Sequence, residues 1–185
     1  MNARIVSVNV GRPQDVQWNG DEIITGIFKK SISGQVKLHR LGLDGDTQVD
    51  LTVHGGPDKA VYAYPSEHYE YWKGILQNKY LPWGYFGENL TTQHILEKSV
   101  HVGDRFRIGS TELVVTQPRF PCYKLGVRVG DMTMVRKFQA SGRSGFYMAV
   151  SKEGVVEEGD AIELLDQHEE NPTIAQVFMR QNEAG

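Results

Sequence analysis

The sequence predicts a mainly β domain, a barrel or a sandwich, with a few short helices and a helical segment at its end. Three observations carry this expectation. The apolar runs are short, rich in Val, Ile, Tyr and Phe, and several alternate with polar residues as half-buried strands do. Gly-containing turn signals separate them at even spacing. Only three segments have helical periodicity, which favours a closed or sandwiched β architecture over an alternating βαβ array.

Along the chain, "RIVSVNV" reads as a strand in which Val6, Val8 and Val10 alternate. "VQWNGDEIITGIFKK" carries two strands around Asn19-Gly20, the strongest two-residue hairpin signal. "VKLHRLGLDGD" gives a strand and a turn. "KAVYAY" is a β-prone run closed by Pro65. "SEHYEYWKGILQ" predicts a helix from Ser66 with Tyr69, Trp72 and Leu76 on one face. "DRFRIGSTELVVTQ" predicts a hairpin turning at Gly109-Ser110. "DMTMVRKFQASG" predicts a helix with Asp131 as N-cap, Gly142 as the residue beyond its end, and Met134 and Phe138 sharing a face. "GFYMAV", "GVV" and "DAIELL" complete the strands. "NPTIAQVFMRQ" predicts a last helix, with Pro172 in its first turn behind an Asn cap. Its stripe of Ile174, Val177 and Phe178 needs a partner surface. The expected organisation is one β domain over residues 1–166 and a C-terminal helical segment over 167–185.

Composition bounds the function. The chain has 185 residues, 39% of them hydrophobic and 23% charged, which are globular values for one domain. The net charge of −3 gives no global basic field for nucleic acid polymers or anionic membranes, so an anion site must be a local cluster. The N-terminus "MNARIVSVNVGRP" has no apolar stretch of signal-peptide length, no run has the roughly 18 apolar residues of a membrane span, and one cysteine cannot form an internal disulfide. The expected location is the cytoplasm. No phosphate-loop or dinucleotide-binding glycine pattern is present. "GRSGF" lacks the last glycine of a nucleophile elbow. "DGD" at Asp44–Asp46 begins like a calcium loop but lacks its downstream ligands, and the six histidines lack zinc spacing. A metal held mainly by a cofactor stays open.

The candidate site residues sit in four stretches. In "PRFPCYKLG" the one cysteine, Cys122, lies between Arg119 and Lys124, and nearby cations favour a thiolate, which is both nucleophile and soft-metal ligand. In an extended chain Cys122 and Lys124 share a side and Arg119 faces away unless Pro121 bends the path. The plainer reading is a small apolar core residue. "HGGPDK" places His54, Gly55 and Gly56 in a turn whose glycines let backbone N–H groups approach an anion, with Lys59 just beyond. "GENL" offers Asn89 to a polar ligand edge, and "SGRSG" offers Arg143 to an oxyanion. For each of these the plainer reading is a turn with solvated side chains. Trp72, Trp83, Tyr62, Tyr64 and Tyr69 read as packing residues.

Taken in order, "VHGGPDKAVYAYP", "FGENLT", "VGDRFRIGSTELVVTQPRFPCYKLG", "GRSGFYMAV" and "GVVEEGDAIEL" resemble the MOSC domain family, named for the C-terminal domain of molybdenum cofactor sulfurases. The resemblance covers roughly residues 30–166 and is strongest to stand-alone bacterial, YiiM-like members. It implies a closed, barrel-like, mainly β domain with a few short helices, and, because such relatives carry a C-terminal helical module, it makes residues 167–185 either a truncated form of that module or a helix docked on a second chain in a homodimer. It implies that Cys122 is the metal ligand and the reacting side chain at the molybdenum cofactor (molybdopterin), or carries sulfur for it. That cofactor is a pterin whose dithiolene holds the metal and which carries a phosphate. His54, Gly55, Gly56, Lys59, Asn89, Arg119, Lys124 and Arg143 are then the cofactor-binding candidates.

The resemblance further implies an oxidoreductase that reduces N-hydroxylated bases or related N-oxygenated compounds, a detoxification of base analogues. Its partners would be a small N-hydroxylated substrate and an external electron-donor protein, because the chain shows no flavin, haem or iron–sulfur motif. The alternative is a sulfur or molybdenum-cofactor carrier without turnover of its own. No pyridoxal-phosphate-dependent sulfurase domain is present in this sequence, so extraction of sulfur from cysteine is not expected of it.

Overall fold

The computed structural model describes residues 2–47 and 55–183. Among these it contains thirteen strands and four α-helices. The chain begins with β1 (Arg4–Val10), the hairpin of β2 (Gln14–Trp18) and β3 (Asp21–Thr25), then β4 (Lys30–Ile32), β5 (Val36–His39) and β6 (Gly42–Leu43). A 3-10 turn (Pro57–Lys59) leads into β7 (Val61–Pro65), α1 (His68–Leu76) and β8 (Leu90–Gln93). The rest of the chain forms β9 (Arg105–Ile108), β10 (Thr111–Pro118), α2 (Tyr123–Val129), α3 (Met134–Ser141), β11 (Phe146–Lys152), β12 (Gly154–Val156), β13 (Ile162–Asp166) and α4 (Ile174–Glu183).

Eight strands form the main sheet in the order β13-β9-β10-β11-β7-β8-β1-β4. The strands β12-β5-β6 form a second sheet, and β2-β3 a two-stranded ribbon. The expected closed barrel is not found. The main sheet is open and mixed, with β7 and β8 parallel across the α1 crossover and the other neighbours antiparallel. One isolated bridge, Arg4 to Ala161, joins β1 to the residues just before β13. Hydrogen bonds from Ile5 N to Asp160 O and from Ile162 N to Ala3 O, each 2.9 Å, flank it. The ladder stops there because the residues that would extend it form a turn, with Gly159 at φ +92° and Glu157 N bonded to the Asp160 carboxylate.

β1 departs from simple alternation. A bulge between Ile5 and Ser7 shifts its register on β8, and the buried residues are Ile5, Ser7, Val8 and Asn9, while Val6 and Val10 are only half-buried. A bulge inserts a residue and re-aims the side chains beyond it. The hairpin at Asn19-Gly20 forms as expected, with both turn residues at positive φ (53° and 91°).

The apolar residues divide into two clusters. One lies under the main sheet and includes Val8, Leu38, Val61, Leu90, Ile108, Leu113, Phe146 and Ile174. The other is aromatic and ties α1, α2 and α3 to β7 through Tyr64, Tyr69, Trp72, Phe86, Leu125 and Phe138. Trp72 and Phe138 stack 5.6 Å apart at 7°, and the Trp72 indole N–H donates to the Tyr64 hydroxyl at 2.6 Å. This cluster backs the cleft into which Cys122 opens. The terminal stripe finds its partner within the chain. Ile174 and Phe178 are buried, Phe178 stacks on Phe120 at 5.0 Å, and Val177 is half-buried.

Candidate functional site

A cleft of about 670 Å³, its open mouth included, is lined by Cys122, Arg119, Lys124, Lys59, Lys29, Asp46, Asn89, Tyr62 and Tyr147, with Thr25, Gly26 and Ile27 from the foot of the β2–β3 ribbon. Its central segment is the exit of β10. The strand ends at Pro118, Arg119 comes next, and Cys122 sits with an extended backbone (φ −120°) immediately before α2. Turning from strand to helix over four residues brings Arg119, Cys122 and Lys124 to one cleft, which a continuous extended chain would not do.

Arg119 is only 6% exposed, and its guanidinium lies over the rings of Tyr62 at 5.0 Å and Phe138 at 5.4 Å. Its Nη1 is buried with no hydrogen-bond partner. Such an atom in a native protein needs an explanation, because a lost hydrogen bond to a charged group costs more than about 1–3 kcal/mol. Burial acts to lower the Arg119 pKa; Tyr62, Tyr147 and Cys122 act the other way, and the net direction is upward, so the cation is permanent. Burial pushes the Tyr62 hydroxyl well above the ordinary phenol value and the Tyr147 hydroxyl above it, with Arg119 opposing in both. Both phenols are therefore neutral at physiological pH, and the Tyr62 hydroxyl donates to Ser144 O at 2.8 Å.

One end of the cleft is a rigid ionic frame. Asp46 accepts from Lys29 Nζ at 2.5 Å, from Gly11 N at 2.8 Å and from Asn89 Nδ2 at 2.8 Å. Asn89 Oδ1 in turn accepts from Tyr62 N at 3.1 Å. The Asn89 amide, expected to meet a ligand, is thus engaged by the protein and fixes Asp46 against β7. Burial lowers the Lys29 pKa, Asp46 and then Glu88 acting in the opposite direction. Gly87 is needed beside this frame: at φ +84° an added Cβ would lie 2.9 Å from Ile27 Cγ1.

The remaining candidates are more scattered. Lys59 lines the cleft with its ammonium 5.9 Å from the Tyr147 ring centre. Gly55 and Gly56 precede the 3-10 turn and are not among the lining residues; Gly56, at φ +94°, accepts a hydrogen bond from Lys59 N. His54 lies outside the described residues. Arg143 does not line the cleft. Its guanidinium stacks on Tyr71 at 3.7 Å and donates to Ser141 O, because Gly142 ends α3 in the left-handed conformation and turns the loop toward α1. Lys29, Asp46, Tyr62 and Tyr147 are site residues that the sequence does not announce. Of these only Asp46 carries a signal, in "DGD", which reads equally as a turn. Among the described residues no cluster of three or more His, Cys, Asp or Glu side chains has metal-binding geometry.

These residues suit an anionic, metal-bearing cofactor. The buried, unpartnered Nη1 of Arg119 offers a charge-assisted hydrogen bond to an anion, Lys59 and Lys124 add positive charge, and the Cys122 sulfur is a soft ligand in the same cleft.

Comparison with known proteins agrees with the fold. A model of the MOSC domain matches residues 50–163. The uncharacterized protein YflK of Bacillus subtilis (strain 168) is 43% identical over 170 residues, 92% of this chain and 76% of that protein. A protein named Reductase from Gibberella moniliformis is 34% identical over 152 residues, 80% of this chain but only 27% of that much longer protein. The crystal structure of YiiM from Geobacillus stearothermophilus superposes with a TM-score of 0.82 at 31% identity, over 98% of this chain and 85% of that one. With the family model, the relatives and the mixed β fold in agreement, the chain belongs to the MOSC domain family.

Proposed function

We propose that this chain is a molybdenum-cofactor-dependent oxidoreductase that reduces N-hydroxylated bases or related N-oxygenated compounds, with Cys122 as the protein ligand to molybdenum. The observation that carries the reading is the pairing of Cys122 with the buried, unpartnered Arg119 Nη1 in one cleft. A cysteine without other clustered ligands among the described residues suits a metal whose remaining ligands come from a cofactor's dithiolene. When bound, the cofactor supplies the two-electron redox chemistry; the protein supplies position, charge and protons.

The residues then divide the work. Arg119, Lys59 and Lys124 hold the cofactor's anionic groups. Tyr147, neutral, offers its hydroxyl at the wall, while Tyr62 is fixed by donating its hydroxyl to Ser144 O and its backbone N–H to Asn89. Asp46 and Asn89 keep that wall rigid. The overall change consumes two electrons and two protons: R–NHOH becomes R–NH2 and water. The electrons come from an external donor protein. The relative named Reductase, of which this chain spans 27%, is in keeping with a reduction.

The test is elemental analysis for molybdenum with pterin fluorescence on protein from a cofactor-competent host, wild type beside Cys122→Ala, followed by an N–O reduction assay with a supplied reductant. Near-stoichiometric molybdenum and reduction in the wild type, both lost in the variant, are expected. A variant that keeps both would leave Cys122 with a packing role. Sulfur transfer without N–O reduction would instead identify a carrier.

A further inference from the structure

Breaking an N–O bond requires a proton for the departing oxygen, and the cleft contains few groups able to give one. The Arg119 guanidinium does not release its proton. Burial holds the protons of Tyr62 and Tyr147 more tightly than on an ordinary phenol. Cys122 is assigned to the metal. Lys59, its ammonium over the Tyr147 ring, and Lys124 are assigned to the cofactor's anionic groups.

Lys29 is differently placed. It lies just past the foot of the β2–β3 ribbon, lines the same cleft as Cys122, and its side chain is only 9% exposed. The Asp46 carboxylate grips it at 2.5 Å and is itself fixed by Gly11 N and Asn89 Nδ2. An ammonium has three N–H bonds, and one is engaged by Asp46. The amine is thus oriented, sheltered and still able to donate.

We propose that Lys29 is the proton donor to the oxygen that leaves the substrate nitrogen, with Asp46 holding its ammonium in place. The assignment rests on the reductase reading. Two electrons from the external reductant enter the N–O bond, which breaks. The oxygen keeps the hydroxyl hydrogen, takes the Lys29 proton and leaves as water. The nitrogen takes the second proton from solvent, and solvent reprotonates Lys29. Burial supports the role by lowering the Lys29 pKa toward the working pH, against the opposing effects of Asp46 and Glu88, the acidic groups that act on it.

The decisive variant is Lys29→Arg, which keeps a cation within reach of Asp46 but cannot release a proton; Lys29→Met removes both. With molybdenum content equal to wild type, both are expected to lower kcat on a hydroxylamine substrate by about 100-fold or more, the usual contribution of a general acid. On an O-acetylated hydroxylamine, whose acetate leaves without a proton, the Lys29→Arg deficit is expected to disappear. In the apoprotein, NMR titration of labelled lysine is expected to show the Lys29 amine ionising below the ordinary value of about 10.4. A Lys29→Arg enzyme as fast as wild type, or a Lys29 amine titrating at or above the ordinary value, would overturn the assignment alone. A fully loaded wild type that reduces no N–O bond would overturn the functional reading and the assignment with it.

Discussion

Asp46 accepts hydrogen bonds from a lysine, a backbone amide and an asparagine, and its side chain is only 4% exposed. Removing one partner of a buried ion pair leaves the other charge uncompensated, at a cost of about 3–5 kcal/mol. Asp46→Ala is therefore expected to lose about that much stability in urea denaturation, and the double variant Asp46→Ala/Lys29→Met less than the sum of the singles. Strict additivity would show that the two groups do not interact. Residues of this kind are the least legible in the sequence. Cys122, Arg119, Lys124, Lys59 and Asn89 stand in compact motifs. Lys29 and Asp46 come from ordinary turn-rich stretches and meet only because Gly11, Asn89 and the ribbon foot converge. Arg143 misleads for the opposite reason: its local motif resembles an anion loop, but the path after Gly142 delivers it to Tyr71.

At the scale of elements, hairpins and amphipathic helices are legible because their signals are local. Features that depend on distant partners are not. The bulge in β1, the parallel pairing of β7 with β8 and the short α2 leave no period to read. In α2, Gly126 weakens the helical signal, yet an added Cβ there would meet Met132 Sδ at 2.6 Å. The entrance of α3 lies later than the sequence suggests. Thr133 is its N-cap, and Asp131 supports it by accepting from Thr133 N at 2.8 Å, from the Thr133 hydroxyl and from Lys137. These bonds, Thr133 first, hold the Asp131 carboxyl at about 2, below its ordinary value of 3.8. A depressed carboxylate stabilises the fold above its unfolded pKa and loses that contribution as pH falls through the folded one. Amide exchange in the first turn of α3 should accelerate as pH is lowered from about 4 to 2 relative to an Asp131→Asn variant, after correction for intrinsic rates; parallel profiles would remove Asp131 as the cause. At the C-terminus, Phe178 is 1% exposed and stacked on Phe120, so Phe178→Ala should cost about 3–5 kcal/mol. A loss below about 1 kcal/mol would mean that α4 is not docked in solution.

For the whole molecule, charge is distributed against its average. The chain carries a net charge of −3, yet Lys29, Lys59, Arg119 and Lys124 line one cleft, with Asp46 as the acidic residue there among the described residues and Lys29 already paired to it. The sheet around that cleft is open, its first strand held to the last by one bridge, so the two ends of the chain meet without a continuous ladder. Gathering like charges in a partly enclosed site destabilises the empty protein, and a bound anion relieves the repulsion. A ligand that binds only the folded state adds about 2.7 kcal/mol at 100 times its Kd. For a domain of this size each kcal/mol raises Tm by about 2–4 °C. Inorganic phosphate should therefore raise the Tm of the apoprotein by about 5–10 °C at saturation, beyond the change produced by chloride at equal ionic strength. Arg119→Met should abolish the difference, since it removes the buried cation whose Nη1 has no partner. Equal shifts in phosphate and chloride would reduce the effect to general screening. A phosphate-specific shift that survives Arg119→Met would assign the anion to the lysines at the cleft instead.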